Sequence, residues 1–189
     1  MKMLNKYLFT ACGLALPSIA FAHPGHTAAG FSAAFAHPFT GIDHLLMMLF
    51  VGVWAGRTGG KTRWQLPLAF LMAMLTGWAL AASSVAFAGI EGGIAAGLIA
   101  LGVIIAMRAT LSRPLQFVIV AGFAFLHGMA HGVELGAGVA PAFGFLLAGV
   151  MLHAAGIALA TLLPREGGAV YRSLGAALVL FGGGMLIAI

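Results

Sequence analysis

Residues 37–56 read HPFTGIDHLLMMLFVGVWAG: two histidines and an aspartate at the mouth of a hydrophobic run with no other charge. Ionisable side chains are costly beside lipid, so those placed within membrane segments are functional hypotheses by default. A second apolar run further along is interrupted by His127, His131 and Glu134. Six side chains of metal-ligand type thus stand in a chain with four acidic residues in all. The pattern predicts a metal site in a membrane.

Composition agrees. The chain is 62% hydrophobic and 7% charged, far outside the balance of soluble globular proteins. Its apolar runs are long and continuous, whereas a β-barrel would show short alternating segments. An all-α integral membrane protein is expected. In a soluble protein a net charge of +5 would suggest nucleic acid. Here the bias of Lys and Arg toward cytoplasmic loops explains it, and no nucleic-acid partner is expected. The 28 glycines include small-x3-small pairs at Gly52/Gly56, Gly93/Gly97 and Gly128/Gly132 that suit close helix packing. An oligomer is compatible with this sequence.

Residues 1–22 have the form of a cleavable signal peptide. Lys2 and Lys6 supply positive charge, Leu8–Leu16 the apolar core, and Ala20-Phe21-Ala22 the cleavage site. An uncleaved first helix is the alternative. Cleavage removes Cys12, the only cysteine, so the mature chain has neither a disulfide nor a thiolate ligand. It also makes His23 the head of a periplasmic segment, 23–36. There the α-amine and imidazole of His23 could chelate a metal with His26 close by, while Pro24 offers no amide proton. A tail with incidental histidines is the competing reading.

Residues 37–189 divide into six runs, each near the ~20 residues that span a bilayer. They are Gly41–Gly56, Trp64–Ala86, Gly89–Met107, Pro114–Leu135, Ala140–Leu163 and Ala169–Ile189. The first is short and can reach back to Phe35 across a kink at Pro38. Every Lys and Arg after residue 22 lies in alternate loops: Arg57, Lys61 and Arg63, then Arg108 and Arg113, then Arg165 and Arg172. These loops are expected to be cytoplasmic, which places a multi-pass protein in the inner membrane with both mature termini periplasmic. Three spans per half are compatible with a 3+3 inverted arrangement.

This orientation puts both ionisable clusters in the outer half of the bilayer. His127, His131 and Glu134 fall at i, i+4 and i+7, on one helical stripe. A histidine pair at i, i+4 offers two nitrogens to one metal. Imidazole and carboxylate suit Ni(II), Co(II), Zn(II) or Cu(II), and ligand type alone does not choose among them. Thr40-x2-Asp43 also fits a capping box, with Thr40 as N-cap and Asp43 at N3, a structural role compatible with ligation. His153 and Met47 are additional candidates. A lone membrane histidine can equally serve a helix–helix hydrogen bond, and a methionine can fill the core.

The segment from Phe35 to Met48, continuing as Val51-Gly52-Val53-Trp54-Ala55-Gly56, resembles the signature of the HupE/UreJ family. Phe125-Leu126-His127-Gly128-Met129-Ala130-His131-Gly132-Val133-Glu134 resembles that family's second motif, and the likeness extends over the whole chain. It implies a nickel permease or accessory protein associated with hydrogenase or urease maturation, with cobalt linked to some members. Hydrogenase or urease maturation proteins are then the implied partners. His37, Asp43, His44, His127, His131 and Glu134 are the implied functional residues.

Three functions compete at this stage. The first is secondary transport of Ni(II) from periplasm to cytoplasm. The second is a membrane-embedded zinc-dependent hydrolase, with Asp43 or Glu134 as general base. The third is a metal-binding accessory protein that transports nothing. The leading expectation is not an enzyme.

Overall fold

In a computed structural model, residues 30–83, 88–135, 138–164 and 167–189 are described, and every regular element among them is helical. The helices are α1 (Phe31–Thr40), α2 (Ile42–Thr58), α3 (Thr62–Ala82), α4 (Ile90–Met107), α5 (Arg113–Leu135), α6 (Val139–Leu162) and α7 (Gly168–Ala188). Five of them, α3 to α7, are long and apolar enough to cross a membrane. Helices α1 and α2 meet that test only as a pair, bent by 78° at their junction. The expected leader, His23, His26 and Arg165 lie outside the described residues.

The first span departs from its expected form. Its helix starts at Phe31 and runs through Pro38 without breaking there. The chain turns at Gly41, whose ψ of 107° is extended instead of helical. Proline removes one helical hydrogen bond, but Pro38 sits in the last turn of α1, so the break falls just beyond it. Thr40 is not the N-cap of α2. Its Oγ1 points backward and donates to His37 O at 3.0 Å, while Gly41 takes the cap position with no side-chain bond.

The helices pack in three principal pairs: α3 with α5, α4 with α7, and α2 with α6, which also holds α1. Glycine sets the closeness of each pair. A Cβ on Gly128 would run into Met74 O and Trp78 N, and one on Gly77 into Phe125 O. Gly52 faces His153 and Gly156 in the same way, and Gly56 faces Ala160. Numbering advances together along both seams, so these two pairs are parallel. In contrast, Gly102 meets Gly175 while Gly182 meets Ala95, so α4 and α7 are antiparallel.

Large apolar side chains remain on the outside, among them Leu68, Met72, Val118 and Leu180. Such a surface suits lipid and would be a liability in water. The two ends of the bundle differ in chemistry. Arg57 lies over the Tyr171 ring, its guanidinium carbon 3.9 Å from the centroid, and Arg108 approaches the same ring at 5.9 Å. The opposite end holds the histidines and carboxylates described below.

Candidate metal site

The bend at Gly41 assembles half of the site. His37 sits in the last turn of α1, and Asp43 and His44 in the first turn of α2. Had the helix continued straight, these residues would follow one another around one axis. The turn instead brings the His37 and His44 rings to 5.4 Å between centroids. Asp43 Oδ2 lies 2.9 Å from His44 Nδ1, within ion-pair distance. Asp43 also occupies the N-terminal turn of α2, where free backbone N–H groups favour negative charge.

Helix α5 supplies the other half. The His131 ring stands edge-on to both His44, at 4.2 Å, and His37, at 4.8 Å. His127, one turn deeper, lies 5.2 Å from His44. Glu134 Oε2 is 3.4 Å from His37 Nε2 and 3.5 Å from His131 Nδ1, with the carboxylate about half exposed at the rim. All six residues singled out in the two sequence motifs therefore meet in one place. One nitrogen from each of His37, His44 and His131 lies within 4.8 Å of the others. Ligands held at ~2.0–2.2 Å in a tetrahedral sphere stand roughly 3.3–3.6 Å apart, so the three nitrogens would have to draw together by about 1 Å to share one ion.

The hydrogen-bond state of the rings shows what they are poised to do. His127 Nδ1 lies 2.8 Å from Phe123 O. A carbonyl can only accept, so Nδ1 carries the proton and the neutral ring presents a bare Nε2 lone pair. That Nε2 and both nitrogens of His131 are buried without a hydrogen-bond partner. Leaving a buried polar atom unsatisfied costs about 1–3 kcal/mol. Several together in one cluster suit a ligand that accepts lone pairs.

The additional candidates fall elsewhere. His153 is buried on α6, bonded through Nδ1 to Gly149 O at 2.6 Å, and lies apart from the cluster. Met47 is buried with its methyl toward Gly97 of α4, which is a packing position. Two wall residues were not singled out in the sequence. Phe145 of α6 lies 4.2 Å from the His131 ring, and Phe70 of α3 lies 6.1 Å from His127. Neither carries a motif. Only the pairing of α6 and α3 with their neighbours reveals them.

Comparison with known proteins gives a consistent picture. The profile of the family described as HupE / UreJ protein matches residues 10–185. The chain is 39% identical over 187 residues to a protein of Rhizobium leguminosarum bv. viciae described as Protein HupE, an alignment covering 97% of this chain and 98% of that one. No solved structure matches the chain.

Proposed function

This chain belongs to the HupE/UreJ family, and from that premise we propose that it carries a divalent transition metal, nickel(II) first, from the periplasm into the cytoplasm. The cargo would supply a hydrogenase or urease under assembly. One observation carries the reading: histidines from two distant segments of the chain, His37 and His44 on one side and His131 on the other, converge beside two carboxylates, and the buried His131 nitrogens have no hydrogen-bond partner. The broken α1–α2 pair supports it, because transporters commonly build ion sites where a membrane helix is interrupted.

In this reading α1 and α2 count as one span, giving six, and the arginine end faces the cytoplasm. The packing supports an inverted repeat. Exchanging the half α1–α4 with the half α5–α7 converts the α3–α5 seam into the α6–α2 seam and leaves α4–α7 paired with itself. The site then opens to the periplasm at Glu134 and accepts the ion as cargo.

Nickel uptake into sealed proteoliposomes tests the proposal. Wild-type protein should accumulate the ion, and His44→Ala and His131→Ala should each remove both uptake and the same bound metal. Binding without uptake would leave an accessory protein. Zinc-dependent turnover of a lipid amide or ester would favour the hydrolase.

A further inference from the structure

His153 shares its chemistry with His127. Each is buried, each gives its Nδ1 proton to the carbonyl four residues earlier on its own helix, and each keeps a buried Nε2 with no hydrogen-bond partner. Orienting one ring nitrogen through a hydrogen bond on the other is how proteins present an imidazole to a metal. A histidine needed only as a helix–helix bridge would use its second nitrogen.

The two rings both approach one phenylalanine. Phe70 is fully buried, 6.1 Å from His127 and 4.9 Å edge-on from His153, between centroids. At 1.5 Å per residue, His127 lies ~12 Å and His153 ~21 Å from the histidine-rich ends of their helices. The rings thus step downward from His131 to His127, then Phe70, then His153. Below His153 the same face of α6 continues through Gly156 to Ala160. Ala160 and Gly56 line a cavity of about 520 Å³ that reaches Arg57 and Tyr171 at the arginine end.

We propose that His153 is a second, inner station for the divalent ion, and that the Phe70 ring is the barrier between it and the outer cluster. The proposal rests on the transport reading. An ion leaving His127 would pass the edge of Phe70 and find the Nε2 lone pair of His153. Parting the glycine seam between α2 and α6 would then open the way to the inner cavity. No bond is made or broken beyond ligand exchange.

The test uses full-length protein in sealed liposomes, with Co(II) as the spectroscopic and transported probe. His153→Asn retains an N–H donor for Gly149 O but lacks the Nε2 lone pair. Outer-site Co(II) binding should persist in this variant, which also certifies its fold, while flux falls by about tenfold or more. Phe70→Leu keeps an apolar filler without the flat ring. Its vesicles should release preloaded Co(II) faster than wild type. Wild-type flux in His153→Asn would overturn the inner station, and wild-type release in Phe70→Leu would overturn the barrier. Absence of flux in the wild type itself would overturn the transport reading and the inner station with it.

Discussion

Each histidine of the outer cluster has another imidazole on one side and a carboxylate or an aromatic wall on the other, so no two substitutions there are equivalent. His131 touches His37, His44, Phe145 and Glu134 from a fully buried position. Glu134 sits half exposed at the rim. Replacing His131 with alanine should therefore abolish stoichiometric metal binding. Glu134→Gln, which keeps the shape and removes the charge, should weaken affinity by about tenfold without abolishing it. Isothermal titration of the purified protein reads both. Protons compete with metal for the same lone pairs, and neutral imidazole is the binding form. Affinity should be full at neutral pH and fall on acidification, as protons take the imidazole lone pairs. An affinity that stays constant down to the lowest pH at which the protein remains folded would exclude imidazole as the principal ligand. The six motif residues were legible because charge is conspicuous in an apolar run. Phe70 and Phe145 were not, since a phenylalanine in a membrane helix carries no mark of which neighbour it will meet.

Helices α3 to α7 follow the apolar runs to within a few residues, as expected where backbone hydrogen bonds must be satisfied inside lipid. The break at Gly41 was harder to foresee. Pro38 advertised a kink, but the turn is completed three residues later by a glycine and by a threonine hydroxyl folded back onto His37 O. Seam contacts make a sharper prediction at this scale. On α5, a methyl group at Gly128 would collide with the α3 backbone, whereas one at Gly122 meets nothing within 4 Å. Gly128→Ala should thus force α3 and α5 apart, destabilise the protein by about 1–3 kcal/mol and disturb His127 and His131 on either side. Gly122→Ala should be neutral or slightly stabilising, since alanine is the better helix former. Thermal unfolding in detergent compares the two. Equal melting temperatures would show that the seam tolerates expansion.

The molecule as a whole is chemically polarised: Asp43, Glu91 and Glu134 begin or end helices at one end, and Arg57, Arg63, Arg108 and Arg113 do so at the other. Cysteines introduced near Glu91 and Val139 should react with an impermeant thiol reagent added to intact cells, and cysteines near Thr62 and Gly167 should not. Labelling at position 62 would refute the six-span topology. With the arginine end inside, the polarity also has an electrical meaning. In the proposed transport, a dication moving from the carboxylates to the inner cavity would cross a potential worth ~2.3 kcal/mol per charge per 100 mV, or ~4.6 kcal/mol for the ion. Unless protons travel outward in exchange, voltage alone would sustain an accumulation of about three decades. In that transport the fixed guanidinium groups would raise the energy of the ion near the exit, reshaping its path without changing the total electrical work. Flux measured against clamped voltage would then carry the signature of two charges, and departures from it would count the protons that move with the metal.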